Sequence, residues 1–257
     1  MRLAAILVVL ALAAPVAAAE FSLIIPTREP LLQGGAPTTG LRVGLFDPLA
    51  AALKEAPRPK RFGVQLLGEE TDLLPALRPA GEKQAAPWSA EFTVKSPGDH
   101  TFFAEHPPVW QAADEQFTVY LAKLCLNAFG QEEGWDEPVG LEAEIVPLSR
   151  PYGLWAGNLF SGQVLFGGEP APYVAVEVAW FGTAADTPAA LPVAAAWRVQ
   201  KIRADANGVF HYAMPRAGWW GFAAALDTER TLKREGADAP VGLVTSYWVM
   251  ARDLKGD

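Results

Sequence analysis

The chain is poor in the side chains on which metal and redox chemistry most often depend. Its 257 residues include one cysteine and three histidines. A single cysteine cannot form a disulfide within the chain, so stability must come from buried apolar surface. Cys125 lies between apolar residues in YLAKLCLNAF and is predicted to be a small buried hydrophobe. The chain also lacks an excess of positive charge, since its net charge is −8. That balance argues against nucleic acid as a partner, because phosphates require a basic surface.

Familiar catalytic motifs are missing as well. The sequence contains no G-x-S-x-G, no H-E-x-x-H and no phosphate-binding loop, and no histidine lies near Cys125 in the sequence. We therefore expect that the protein is not an enzyme. A glycosidase-like pair of carboxylates is the enzymatic alternative, since spacing across a cleft cannot be deduced from a sequence.

The one long apolar run lies at the N-terminus. Arg2 precedes an uncharged run from Leu3 to Ala14, and small residues follow at Ala17–Ala19. This pattern predicts a cleaved signal peptide over residues 1–19, with an uncleaved anchor as the alternative. No later segment reaches the ~18 apolar residues of a membrane helix, so no transmembrane segment is expected in the mature chain.

What the chain has in quantity is strand signals. Short runs rich in Val, Phe, Tyr and Trp recur between 22 prolines and 23 glycines, which favours an all-β fold. FTVKSPGDHTFFAE and YAMPRAGWWGFAAA each place a Phe four residues after a turn glycine, at Gly98 and Gly218. We predict two β-sandwich domains, immunoglobulin-like or transthyretin-like, over residues 20–130 and 131–257. The turn in ADANGVF makes the second similar to a carboxypeptidase-regulatory-like sandwich.

Two segments favour helix. DPLAAALKEAP begins with Asp47 as an N-cap and a proline at the first helical position, and Pro57 would end the helix. DTERTLKREGAD is predicted to form an exposed turn of helix between strands.

Two of the three histidines lie in HTFFAEHPPVW. Six residues of strand separate His100 from His106 by roughly 20 Å, so they cannot share one metal ion. His100 is expected at a strand end near solvent. The prolines after His106 end the strand, so His106 is either a metal ligand in a loop or a rim residue packed on Trp110.

Two longer segments resemble the DUF4198 family. They are NAFGQEEGWDEPVGLEAEIVPLSRPYGLWAGNLFSGQVLF, residues 127–166, and ADANGVFHYAMPRAGWWGFAA downstream. The resemblance covers most of the mature chain. It implies β-sandwich domains, a periplasmic location and a non-catalytic role in divalent metal uptake, with nickel or cobalt as the ion. A metal permease or an outer-membrane receptor would be the partner.

The resemblance also implies where a metal would bind. Positions that carry histidine in the metal-uptake branch correspond here to Glu20, Asp47 and Tyr120, and Glu105 matches the family within EHPPVW. The candidate metal ligands are Glu20, Asp47, Glu105 and His106. Nickel and cobalt prefer imidazole, whereas carboxylates suit harder ions, so the identity of the divalent ion stays open. The alternative is a metal-free structural or adaptor sandwich that binds a protein or a glycan. The tryptophans of GLWAGN and GWWGF suggest a sugar-binding platform, but burial in a sandwich core is the favoured interpretation.

Overall fold

The chain folds almost entirely as β-strands, as predicted. The structure, a computed structural model, describes residues 20–28, 31–32, 38–81, 86–184 and 187–254, so the predicted signal peptide over residues 1–19 lies outside the described residues. The strands of the first half are β1 (Phe21–Pro26), β2 (Leu31–Leu32), β3 (Thr38–Asp47), β4 (Ala52–Lys54), β5 (Arg61–Leu66), β6 (Glu69–Asp72), β7 (Arg78–Pro79), β8 (Trp88–Thr93), β9 (Gly98–Glu105), β10 (Val109–Gln111) and β11 (Gln116–Ala128).

The strands of the second half are β12 (Ala143–Pro147), β13 (Leu154–Trp155), β14 (Leu159–Phe166), β15 (Glu169–Pro170), β16 (Ala175–Gly182), β17 (Val199–Arg203), β18 (Val209–Ala213), β19 (Gly218–Arg234) and β20 (Ala237–Arg252). Helix is confined in the described chain to a 3-10 turn at Leu74–Ala76 and to α1 at Ala195–Arg198. None of the helices in the described part of the chain has the length and apolar character that a membrane crossing requires.

These strands form three sheets in three layers. The N-terminal outer sheet has the order β1-β3-β8-β7, with β4 beside β3. The central sheet has the order β17-β16-β19-β20-β11-β9-β5-β6, with β2 and β10 against β11 and β13 against β20. The C-terminal outer sheet has the order β12-β14-β15, with β18 on the other side of β14. One apolar core lies between each outer sheet and the central sheet.

The two halves of the chain repeat one topology. In the first half β1-β3-β8 form the outer layer and β5-β9-β11 lie in the central sheet. In the second half β12-β14-β18 and β16-β19-β20 take the same places in the same chain order. Each half is therefore a β-sandwich of immunoglobulin or fibronectin type. The predicted boundary between residues 130 and 131 lies between β11 and β12.

The last strands of the two halves join them into one central sheet. β11 and β20 pair in parallel from Phe117 opposite Val241 to Leu124 opposite Trp248. Equivalent strands that pair in parallel are related by a two-fold axis along the strand direction, which turns one half over relative to the other. As a result Phe102 belongs to the core under the N-terminal outer sheet and Phe222 to the core under the C-terminal one.

Strand β11 is buried on both of its faces. Tyr120, Leu124 and Leu126 pack toward the N-terminal outer sheet, whereas Leu121 and Cys125 pack toward the C-terminal one. The continuous apolar run in the sequence follows from this, because a strand covered on both sides has no solvent face to alternate with. The prediction that Cys125 is a buried hydrophobe is confirmed, and burial raises the pKa of its thiol.

An aromatic cluster attaches the first strand to the last. Phe21, Phe46, Phe181 and Trp248 are all fully buried, with ring centroids 5.0–6.4 Å apart. The indole Nε1 of Trp248 donates a hydrogen bond of 2.7 Å to the carbonyl of Ser22.

A buried ion pair connects β11 to the chain that enters the second half. The ammonium of Lys123 lies 2.6 Å from Oε2 of Glu144, and their side chains are 1% and 2% exposed. Glu144 also accepts hydrogen bonds from the backbone N–H groups of Val139 (2.9 Å) and Gly140 (3.1 Å). Burial lowers the pKa of Lys123, and the charge of Glu144 opposes that shift.

Both helix predictions are wrong. Residues 48–51 form a turn and Ala52–Lys54 return as β4 against β3, because Asp47 Oδ1 accepts the N–H groups of Leu49 and Ala50 and Ala51 then takes a positive φ of 49°. DTERTLKREGAD continues the β19–β20 hairpin, which turns at Glu235 and Gly236. In each case cross-strand pairing overrides local helix propensity.

The buried pair predicts a large and asymmetric effect on stability. Glu144→Ala leaves a buried ammonium without its counterion, so we expect the free energy of unfolding to fall by about 3–5 kcal/mol in urea titrations. Replacing both partners by Lys123→Met and Glu144→Leu should restore part of that loss, because no charge is left buried although the N–H groups of Val139 and Gly140 still lose their acceptor.

A control tests whether burial is the cause. Asp238→Ala breaks an ion pair with Lys233 whose side chains are 58% and 69% exposed, and it should change stability by less than about 1 kcal/mol. Equal losses in Glu144→Ala and Asp238→Ala would contradict this account.

Candidate functional site

The antiparallel pairing of β1 and β3 brings two of the predicted ligands side by side. Phe21 lies opposite Phe46, so Glu20 and Asp47 adjoin at the same end of the N-terminal outer sheet. Strand β4 returns along β3 and places Lys54 opposite Leu45, next to both carboxylates.

Lys54 and Tyr120 both contact the Glu20 carboxylate. The ammonium of Lys54 binds Oε1 of Glu20, and the hydroxyl of Tyr120 donates to Oε2 of Glu20 at 3.1 Å. The Tyr120 hydroxyl also accepts from Gln111 Nε2 at 2.9 Å. We call Glu20, Asp47, Lys54 and Tyr120 the Lys54 cluster.

The ammonium of Lys54 offsets part of the negative charge of the cluster. The hydrogen bond to Glu20 raises the pKa of Lys54, and the negative charges of Glu20 and Asp47 add to that effect. Burial raises the pKa of Tyr120, and the neighbouring Glu20 carboxylate raises it further. At neutral pH the cluster therefore contains an ammonium and a protonated phenol that stabilise the carboxylates around them.

The Asp47 side chain also accepts hydrogen bonds from the backbone. Its Oδ1 accepts hydrogen bonds of 2.9 Å from the N–H groups of Leu49 and of Ala50. The capping role expected from the sequence is present, but the capped segment is a turn rather than a helix.

Glu105 and His106 point to different surroundings. β9 ends at Glu105, as the prolines predict, and the Glu105 carboxylate lies 2.7 Å from Lys60 Nζ and 3.9 Å from Arg61 Nη1. His106 follows with its backbone N–H on the carbonyl of Tyr120 at 2.9 Å. Its backbone thus adjoins the Lys54 cluster, while Glu105 forms ion pairs of its own.

The His106 side chain is fully buried, at 0% exposure. Nδ1 lies 3.0 Å from the carbonyl of Pro57, and since a carbonyl can only accept, this nitrogen carries the proton. Nε2 is therefore an acceptor, and within the described residues it has no hydrogen-bond partner. Burial lowers the pKa of His106 to about 4. His106 is therefore not a rim residue, and the Trp110 ring contacts Phe117 and the guanidinium of Arg234.

The other two histidines have structural surroundings. His100 is 3% exposed rather than near solvent, with Nδ1 3.1 Å from the Gly98 carbonyl and its ring edge-on to Phe92. His211 faces outward, and its Nδ1 lies 2.7 Å from the Ser161 hydroxyl.

The structure thus brings together Glu20, Asp47 and Tyr120. Within the described ranges, no set of three or more His, Cys, Asp or Glu side chains converges as a metal site would require. Sequence reasoning missed Lys54, because a helix from Asp47 would have carried it away from Glu20. The signal was the turn chemistry of Asp47 followed by a short run that could pair back on β3.

A second polar network surrounds Asn127, at the start of the longest segment that resembles the family. The Asn127 amide donates to Asp99 Oδ1 (2.7 Å), to the Gln131 carbonyl (2.8 Å) and to the Tyr152 hydroxyl (3.2 Å), and its Oδ1 accepts from Gly130 N–H (3.3 Å). Burial raises the pKa of Asp99. These residues fix the connection between the halves, so their role is structural.

The tryptophan-rich segments divide between core and surface. Trp219 and Trp220 of GWWGF are buried at 1% and 5% exposure. Trp155 of GLWAGN is 43% exposed, and Trp197 in α1 is 69% exposed. Trp155 and Trp197 are therefore accessible to a partner, whereas the tryptophans of GWWGF are not.

The chain matches one protein family and is weakly similar to several solved structures. The DUF4198 family, described as a domain of unknown function, matches residues 17–228. No curated protein matches the chain significantly. Among solved structures, dimeric latent PorU of Porphyromonas gingivalis is 9% identical with a TM-score of 0.24, covering 91% of this chain and 20% of PorU. The fibronectin(III)-like modules of Clostridium thermocellum CbhA are 7% identical with a TM-score of 0.20, covering 92% of this chain and 98% of the modules. The native alpha-2-macroglobulin of E. coli is 13% identical with a TM-score of 0.23, and the match covers 90% of this chain and 14% of the macroglobulin. At these scores no function is drawn from the likenesses.

The buried His106 predicts a pH-dependent loss of stability. In the unfolded chain the imidazole has a pKa near 6.5, and in the folded chain about 4, so between these values only the unfolded state binds the proton. Stability should therefore fall as pH drops from about 6.5 to 4, by about 3 kcal/mol from this residue.

The measurement is urea unfolding of the protein and of His106→Gln at pH 7 and at pH 4. Gln can still donate to the Pro57 carbonyl but does not titrate, so the variant should lose clearly less stability on acidification. An identical loss in both proteins would show that His106 is not the titrating group.

Proposed function

The chain belongs to the DUF4198 family, and we propose that it is a non-catalytic periplasmic binding protein that holds no metal ion. In this proposal Lys54 supplies the positive charge beside Glu20 and Asp47 that a metal ion would otherwise supply. The partner of the chain is a protein or a glycan. The absence of familiar catalytic motifs from the sequence and the signal-peptide pattern of residues 1–19 support the non-catalytic and periplasmic parts of the proposal.

The observation that carries the proposal is the position of Lys54. The resemblance assigns three histidine positions of the metal-uptake branch to Glu20, Asp47 and Tyr120, and these positions do converge. The ammonium of Lys54 binds Glu20 and interacts electrostatically with Asp47, so a positive charge of the chain itself would oppose a divalent cation at this position. A cation entering there would meet electrostatic repulsion and would have to displace an ion pair.

The donor atoms also fit nickel and cobalt poorly. The cluster offers carboxylate oxygens and a phenol whose pKa is raised, whereas these two ions prefer imidazole nitrogen. The imidazole of His106, whose backbone adjoins the cluster, is fully buried, and its Nδ1–H donates to the Pro57 carbonyl. Its free Nε2 lone pair lies within protein rather than toward solvent.

Exposed aromatic rings support a macromolecular partner. Trp155 and Trp197 present large apolar surfaces to solvent at 43% and 69% exposure. Aromatic rings with one polar edge are common anchors at protein interfaces, and their faces stack on sugar rings.

Divalent metal uptake is the second candidate function. The observation in its favour is that Glu20 and Asp47 adjoin at the ends of paired strands, so two carboxylates could reach one hard cation if Lys54 swung away. Lys54 is 47% exposed, and such a movement would cost little packing.

One titration separates the two candidates. In calorimetric titrations with nickel, cobalt and zinc, we expect the mature protein to bind none of them more tightly than about millimolar. Lys54→Ala removes the internal cation and leaves the carboxylates free, so this variant should gain divalent-ion affinity of at least about tenfold.

Lys60→Ala is the matched control. Lys60 is also half-exposed and also pairs with a carboxylate, that of Glu105, but it lies outside the Lys54 cluster. It should leave metal binding unchanged. Micromolar binding by the unmodified protein that Glu20→Gln abolishes would overturn the proposal in favour of metal uptake.

A further inference from the structure

A cleft of about 580 Å³ opens on the solvent side of the N-terminal outer sheet. Its lining includes Arg42 of β3, Arg78 of β7, and Ser89 and Glu91 of β8. Arg42 precedes Asp47 on β3 by five residues, about 17 Å of strand, so the cleft is separate from the Lys54 cluster. We call it the arginine cleft.

The strand register places two arginines in one row across this face. Arg42 pairs with Ser89, and Ser89 pairs with Arg78 on its other side. Directly paired residues project from the same face of a sheet, and adjacent strands lie ~4.8 Å apart. The two guanidinium-bearing residues therefore stand roughly 10 Å apart, with the Ser89 hydroxyl between them.

The next row is shaped to leave room above the sheet. It consists of Gly40 opposite Glu91. Thr27 closes one side, since its N–H donates to the Gly40 carbonyl at 2.8 Å and its Oγ1 accepts from Gly40 N–H at 3.0 Å. A Cβ on residue 40 would lie only 2.9 Å from Thr27 Cγ2, so a side chain there would push this wall away.

Arg42 Nε has no hydrogen-bond acceptor in the part of the chain that the structure describes. This nitrogen is buried from solvent, and the described residues also give the Arg42 guanidinium no ion pair. Arg78 donates through Nη1 to the carbonyls of Pro75 and Leu77, which fixes its side chain at the edge of the cleft. A buried donor without an acceptor is costly, and a ligand oxygen would remove that cost.

We propose that the arginine cleft binds a carboxylate. The guanidinium of Arg42 would hold it through two parallel N–H···O bonds, with the Ser89 hydroxyl as a further donor and Arg78 as a second positive charge. Glu91 is exposed at the rim, and its negative charge disfavours a phosphate dianion more than a carboxylate monoanion. Glu91 also suits a ligand with an N–H donor or an ammonium near its carboxylate. This site does not rest on the proposed function.

The binding test monitors the NMR signals of the arginine side chains. Proton–nitrogen NMR spectra of the full mature protein resolve Arg Nε–H groups, so Arg42 reports its own hydrogen bonding. The probes are glutarate for a free organic acid, acetyl-Gly-Gly for a peptide carboxyl terminus, and acetyl-Gly-Gly-amide and inorganic phosphate as comparisons. We expect the Arg42 Nε–H signal to shift with one or both carboxylates, with a Kd of about 1 mM or below, and not with the amide. The tighter of the two carboxylates identifies the source.

Variants separate a specific site from general attraction to positive charge. Arg42→Met should weaken carboxylate binding at least about tenfold, and Arg42→Lys should also weaken it because an ammonium lacks the planar fork. Arg203→Met removes the same charge from β17 and should leave the Kd within about twofold. Circular dichroism of each variant checks that it is folded.

Three outcomes would overturn the assignment. They are no shift of the Arg42 signal up to about 20 mM carboxylate, phosphate binding as tight as that of the carboxylates, and an Arg42→Lys variant that is folded and binds as the unmodified protein does.

Discussion

The parallel pairing of β11 with β20 is the interaction on which the rest of the molecule depends. It joins the final strands of two similar sandwiches into one sheet and relates them by a two-fold axis along the strands. Each outer sheet then covers residues of both halves, and for this reason Trp248 of the second half packs on Phe21 and Phe46 of the first. The Lys123–Glu144 pair and the Asn127 network sit beside this seam and direct the chain from one half into the other.

The same framework explains why charged groups collect at one end of the N-terminal outer sheet. Strand β1 is held between β3 and the aromatic cluster, so Glu20 is fixed beside Asp47 and reaches Tyr120 of β11. Two adjacent carboxylates against an apolar sandwich require a positive charge, and the β3–β4 turn supplies it as Lys54. We propose on this basis that a lysine of the chain supplies the positive charge that a bound cation would otherwise supply. The arginine cleft lies on the outer face of the same sheet, where the described residues give Arg42 no comparable counterion.

The sequence predicted the architecture better than the site. Alternating strands and the repeated glycine-to-phenylalanine spacing identified two sandwiches, because the pattern of a half-buried strand is local. The parallel seam was not predictable, since the continuous apolar run of β11 shows burial on both faces but not its partner. Asp47 was recognised as a cap, yet the capped segment turned back as β4, because pairing with β3 outweighed the helix propensity of its alanines. His106 was placed correctly at the end of a strand, but the direction of its side chain into the core depends on the Pro57 carbonyl, 49 residues away in sequence.

The most direct measurement of the central claim is a crystal structure of the mature protein soaked in a nickel salt, with diffraction collected on both sides of the nickel absorption edge. The account predicts that Lys54 remains bound to Glu20 and that no anomalous peak lies within bonding distance of Glu20 or Asp47. An anomalous peak coordinated by these carboxylates, with the Lys54 side chain displaced toward solvent, would contradict it.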